Sequence, residues 1–196
     1  MKKLNTEYDC VVIVDCLSEG ERNKFDDSRL LAKFLADQGI NHRYCYCGNK
    51  KTVFYLLEKL EKVSSLGLSF PIVFISHCTH LSLSVRHRKE DIDWGELRNP
   101  LKKINKNMKG NLFVLMACCE GFEGYKIDQR DVDDESFFGI IGPVRRIDLD
   151  ESIKANEIFF HGLIDGKTVP DAVKDINNHF GEELYRSLIS QDNKLK

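Results

Sequence analysis

Short runs of strand-forming residues alternate along the chain with stretches in which apolar positions recur every three or four residues. The runs are "CVVIVD" (10–15), "HRYCYC" (42–47), "PIVFIS" (71–76), "NLFVLM" (111–116) and "FFGIIG" (137–142). Continuous apolar runs of this length are the pattern of strands covered on both faces by helices. Between them, Asp26, Asp27 and Ser28 give helix-start signals, then Leu30, Leu31, Phe34 and Leu35 repeat at helical spacing before Gly39. Val53, Leu56, Leu57 and Leu60 fall on one face of a helix over about 50–63, and Trp94, Leu97, Leu101, Ile104 and Met108 form the stripe of another. A helix over 149–164 closes at Gly166, and Thr168 with Asp171 reads as a capping box for a last helix through Ala172, Val173 and Ile176.

Strands that alternate with helices predict an α/β fold with a parallel, doubly wound sheet. The helical crossover between "PIVFIS" and "NLFVLM" predicts that these two strands are parallel neighbours. Residues 16–25 read as a polar loop. So does "FEGYKIDQRDVDDES" (122–136), whose acids at 128, 131, 133, 134 and 135 predict a solvated segment where proteolysis could cut the 128–136 stretch.

Composition narrows the class. A chain of 196 residues suits one α/β domain over 1–196, and 42% hydrophobic with 31% charged residues leaves disorder only for the ends. A net charge of -2 gives no footprint for nucleic acid. Arg86, His87, Arg88 and Lys89 read as a polar surface loop, and Lys102, Lys103, Lys106 and Lys109 as the solvated side of a helix. No apolar run approaches the ~18 residues that span a bilayer, and the start has too short an apolar segment for a signal peptide. The expectation is a cytoplasmic protein whose seven cysteines are reduced thiols.

In a parallel α/β sheet, reacting groups gather at the carboxyl ends of the strands, where Asp15, His77 and Cys118 fall. Cysteine attacks as the thiolate and needs a partner such as an imidazole to hold that charge. A buried structural cysteine and a core histidine would give the same two strand ends, so spacing alone leaves both readings open. Zinc is a rival, from His42, Cys45 and Cys47 beside His77, Cys78 and His80, but the C-x-C spacing lacks the C-x₂₋₄-C knuckle. No G-x-G-x-x-G or P-loop follows a strand. Neither a metal nor a cofactor is expected.

The strand end "ISHC" (75–78) resembles the His-Gly strand end of caspase-like cysteine peptidases, and "MACCEG" (116–121) resembles their Ala-Cys strand end. His77 precedes Cys118 by 41 positions, a layout similar to the caspase signature. The tail "FFGIIGPVRRIDLDESIKANEIFFHGLIDGKTVPDAV" looks like the end of CHAT-type domains, the bacterial branch related to caspases and separase. The resemblance covers about 10–180. It implies a three-layer sandwich with a mainly parallel caspase-like sheet flanked by helices, and a cysteine endopeptidase acting on a protein or peptide substrate. It also implies an activating or inhibiting partner protein and a role in bacterial defence or regulated death; the other reading is a catalytically inactive interaction module.

Carried over, the resemblance makes Cys118 the nucleophile with Cys119 in reserve, and His77 the general acid/base with His80 in reserve. Backbone N–H groups of Cys118 and Cys78 would hold the oxyanion, with Cys78 standing where the family has glycine. Met116, occupying the position of an Asp or Gln in relatives, would line a substrate pocket; Asp15, at the end of the first strand, could pair with a basic side chain there, with capping a loop as its other reading.

Overall fold

The structure, a computed structural model, describes residues 8–85, 89–128 and 135–189. Six strands form the central sheet: β1 (Val11–Asp15), β2 (His42–Tyr46), β3 (Ile72–Ile75), β7 (Phe113–Ala117), β8 (Gly139–Pro143) and β9 (Tyr185–Ile189), in the order β2-β1-β3-β7-β8-β9. The first five are parallel, as the strand–helix alternation predicts, and β9 returns antiparallel to β8. That last strand escaped the sequence reading because "YRSLI" carries neither an apolar run nor a clean alternation.

Residues within each strand alternate between two cores. Val12, Val14, Ile72, Phe74, Val114 and Met116 pack against α3 (Lys50–Ser65) and α4 (Trp94–Asn107). Val11, Ile13, Val73, Ile75, Leu115 and Ala117 pack against α2 (Asp27–Asp37), α5 (Leu149–Ile164) and α6 (Val169–Phe180). This two-sided burial is why the strands read as unbroken apolar runs.

Two expected loops are ordered. Residues Glu19–Phe25 form α1, with Ser18 as N-cap and a reciprocal capping box to Glu21. The S-x-x-E spacing was present in the sequence, but no apolar stripe follows it to announce a helix. Gly121–Asp128 form a 3-10 helix with Gly121, Gly124 and Ile127 buried, so the first part of the acidic segment is packed, not solvated. It is tight against the sheet: a Cβ on Gly142 would lie 2.5 Å from the Gly121 carbonyl carbon and the Phe122 nitrogen. Residues 129–134 of that segment, including the centre of the expected cleavage site, lie outside the described residues, as do Arg86, His87 and Arg88.

The crossover from β3 to β7 is more elaborate than one helix. Before α4 the chain forms a three-stranded antiparallel sheet of β4 (His77–Cys78), β5 (Ser82–Val85) and β6 (Glu90–Asp93). His77 therefore belongs to a separate two-residue strand, set off from β3 by Ser76, whose hydroxyl donates to the Ser84 carbonyl.

Candidate active site

Strands β3 and β7 run in register with Ile75 opposite Ala117, so the residues after them leave the sheet at one edge. His77 arrives there through Ser76, and Cys118 and Cys119 follow Ala117 directly. His77, Cys118 and Cys119 all border one cavity of about 290 Å³, walled by Leu17, Ile75, Ile147 and Leu149 and also lined by Asp27 and Ser152. The β3–β7 register thus brings together the two strand ends that the sequence singled out.

The imidazole is held from α1. His77 Nε2 lies 2.9 Å from Glu21 Oε1, while the other carboxylate oxygen accepts from the Ser18 backbone N–H and hydroxyl at 2.9 and 2.7 Å. A carboxylate only accepts, so Nε2 carries a proton and Nδ1 is left for proton transfer. Burial works against the Glu21 carboxylate, but the Ser18 hydrogen bonds and the His77 contact outweigh it and hold the group below the usual carboxylate range. Sequence reasoning missed Glu21: its capping spacing was visible, but nothing in the sequence ties position 21 to position 77.

The Sγ atoms of Cys78 and Cys118 are joined in a disulfide, with Cα atoms 5.6 Å apart. Such a separation is ordinary for the bond. This corrects the expectation of seven reduced thiols; Cys10, Cys16, Cys45, Cys47 and Cys119 are free. The two partners are 40 residues apart in sequence, and only the β3–β7 register makes them neighbours. Both are buried, whereas Cys119 is partly exposed and its thiol donates to the Ile147 carbonyl at 3.5 Å.

The other candidates sit elsewhere. Asp15 is fully buried and accepts from the Leu17 N–H, the Ser28 hydroxyl and the Tyr44 hydroxyl, tying β1, α2 and β2 together. Met116 is fully buried in the core beside α3 and α4. Neither is among the residues lining the cavity, which corrects their expected place in a substrate pocket: the alternation of the strands points Met116 into a packed helix layer, and three donors occupy the Asp15 carboxylate. His80 is exposed beyond β4 and offers its carbonyl to Lys126 Nζ at 2.9 Å. Among the described residues no group of three or more His, Cys, Asp or Glu side chains could hold a metal ion.

The acidic residues that do line the cavity are Asp148, which caps α5, and Asp27, read from sequence only as a helix-start signal; the site perturbs the ionisation of Asp27. Its Oδ1 and Ser152 Oγ are both buried and lie near one another, close enough for the hydroxyl to act on the carboxyl. Desolvation, with Asp15, Asp150 and Asp26 nearby, raises the Asp27 pKa to about 7, although Ser152 favours the charged form. The Ile147–Leu149 side of the cavity is fixed by Arg145, which pairs with Glu151 at 2.8 Å and Glu182 at 2.5 Å, and by the Asp148 N-cap of α5. Ile147, Asp148 and Leu149 hang from that clamp.

The mainly parallel six-stranded sheet flanked by helices has a caspase-like fold, shared with solved structures of cysteine proteinases. Two solved structures carry the likeness. One is a complex of the Porphyromonas gingivalis RgpB pro- and mature domains, with 10% identity and a TM-score of 0.52, covering 91% of this chain and 45% of that one. The other is the Arg-specific cysteine proteinase gingipain R, with 10% identity and a TM-score of 0.53, covering 91% of this chain and 44% of that one. The chain therefore spans less than half the length of either. No family model and no curated protein matches the sequence.

Proposed function

We propose that the chain is a caspase-like cysteine endopeptidase, CHAT-related in its sequence pattern, that cleaves a protein substrate through an acyl-enzyme. The observation that carries this reading is one cavity bordered by His77, Cys118 and Cys119 on a cysteine-proteinase fold. In the reduced protein the Cys118 thiolate attacks the scissile carbonyl, and the backbone N–H groups of Cys118 and Cys78 receive the oxyanion. His77, oriented by Glu21, protonates the leaving amine from Nδ1 and then draws a proton from the water that hydrolyses the thioester. The cavity joins an aliphatic wall to the Asp27 carboxyl, with Ser152 beside it, a lining that suits a substrate side chain with an apolar stem and a cationic tip. One of the structural neighbours is an Arg-specific proteinase, in keeping with a basic residue there. Among the described residues no helix is long and apolar enough to cross a membrane, and the proposal keeps the cytoplasm, a protein partner and a bacterial defence role from the resemblance.

Covalent capture tests the reading. A basic peptidyl acyloxymethyl ketone added to reduced protein is expected to label Cys118 and not Cys119, and labelling should fall in His77→Ala. Equal, His77-independent labelling of every exposed thiol would overturn the peptidase reading; labelling that survives Cys118→Ala and disappears in Cys119→Ala would move the nucleophile by one residue. The second reading, an inactive interaction module, is favoured by one observation: the Cys118 thiol is consumed in a disulfide.

A further inference from the structure

The residue after the histidine is the chain's main departure from the caspase-like pattern, and its side chain is bonded to the sulfur the reaction needs. We propose that the Cys78–Cys118 disulfide is a reversible redox latch that stores the nucleophile and is opened by a dithiol; this rests on the reading of Cys118 as nucleophile. The pairing is selective. Cys16 and Cys47, also buried and close enough to perturb one another, remain thiols, as does Cys119 next in the chain. The bond is not what brings the two ends together, because the β3–β7 ladder already aligns them. It joins the two residues whose backbone N–H groups would receive the oxyanion, so one bond closes both halves of the reacting centre.

The latch opens from the cavity, which Cys118 borders and Cys78 does not line. A thiolate of the dithiol attacks Cys118 Sγ; the S–S bond breaks, and its electron pair leaves on Cys78 Sγ, which takes up a proton. The second thiolate of the dithiol attacks its own sulfur of the mixed disulfide. A cyclic disulfide departs and the electron pair leaves on Cys118 as the thiolate beside His77. Two electrons have passed from the dithiol to the protein. Closure is the reverse with a small-molecule disulfide or diazene oxidant: both cysteine thiols lose their protons, one S–S bond forms, and the oxidant gains two electrons and two protons.

The test uses the full chain and two independent readouts. Peptide mapping after alkylation should find Cys78 cross-linked to Cys118 in protein prepared without reductant, lost on dithiothreitol treatment and restored by diamide. Ketone labelling of Cys118 should rise at least about tenfold over the same dithiothreitol range, since only the thiolate attacks. In Cys78→Gly, which supplies the family's residue, and in Cys78→Ser, the ratio of labelling with and without reductant should fall to near one and diamide should no longer suppress it. No cross-link under diamide, or a Cys78 variant as reductant-dependent as the parent, overturns the latch. If the cross-link opens and closes but reduced Cys118 never takes the ketone, the peptidase reading fails while the reversible bond stands; if Cys118 takes the ketone equally with and without reductant and no cross-link maps, the latch alone fails.

Discussion

Asp27 turns a helix start into a pH-dependent feature of the cavity. Its carboxyl is charged in the unfolded chain above its ordinary 3.8 but stays protonated in the fold up to about 7. The folded state therefore binds the extra proton between those values, so folding stability falls as pH rises through that window. Asp27→Asn removes this cost: the melting temperature of the variant relative to the parent should rise from pH 5 to pH 8. The same group should make kcat/KM for basic peptides climb between pH 6 and 8, and the Asn variant should flatten that limb and lose about tenfold or more on basic over neutral peptides. In the proposed mechanism Glu21 would act through His77, whose Nε2 it contacts. Glu21→Gln keeps the size and the contact to Ser18 but cannot hold an imidazolium as a carboxylate does. Loss of about 10- to 100-fold in kcat with little change in KM is expected, less than for the buried aspartate of a serine-protease triad because Glu21 is a quarter exposed. A larger effect on KM than on kcat would count against the positioning role.

Among the elements, what was legible in sequence followed periodicity. β1, β3, β7 and β8 show as apolar runs because helices cover both faces, and α2 to α6 show as stripes because each has one buried face. What escaped had no such signal. α1 is seven residues long and is set by a capping box, and the β4–β6 sheet is built from strands of two and four residues. The 3-10 helix after Cys119 reads as a polar loop, yet its glycines let backbone approach backbone. Gly142 on β8 is where this is tightest, with an added Cβ only 2.5 Å from two backbone atoms of that helix. Gly142→Ala should therefore destabilise the protein by about 1–3 kcal/mol, as overpacking does, measured by urea denaturation with an unchanged m-value. On its other side Gly121 comes close to the Met116 carbonyl and Cys118 Sγ, so the turn after Cys118 is under a similar constraint.

At the scale of the whole molecule, the sequence placed His77 and Cys118 at one sheet edge because strand order in a parallel α/β fold follows from the crossover between them. It could not place Glu21 or Asp27, whose approach depends on how α1 and α2 lie over the edge, nor the pairing of Cys78 with Cys118, which depends on register. Asp15 shows both sides of this: a carboxylate at a strand end reads either as chemistry or as a loop cap, and the Leu17 N–H with two hydroxyl donors makes it a cap and a brace. The disulfide also changes the chain's connectivity. It closes a ring spanning 40 residues that holds the small antiparallel sheet, α4 and β7. A ring of that size restricts the unfolded chain by about 4 kcal/mol in the loop-entropy picture. Opening it returns that freedom to the unfolded state, so the form proposed to attack a substrate is also the form nearer to unfolding. On this account the activated molecule carries a clock: the step that arms it shortens how long it lasts.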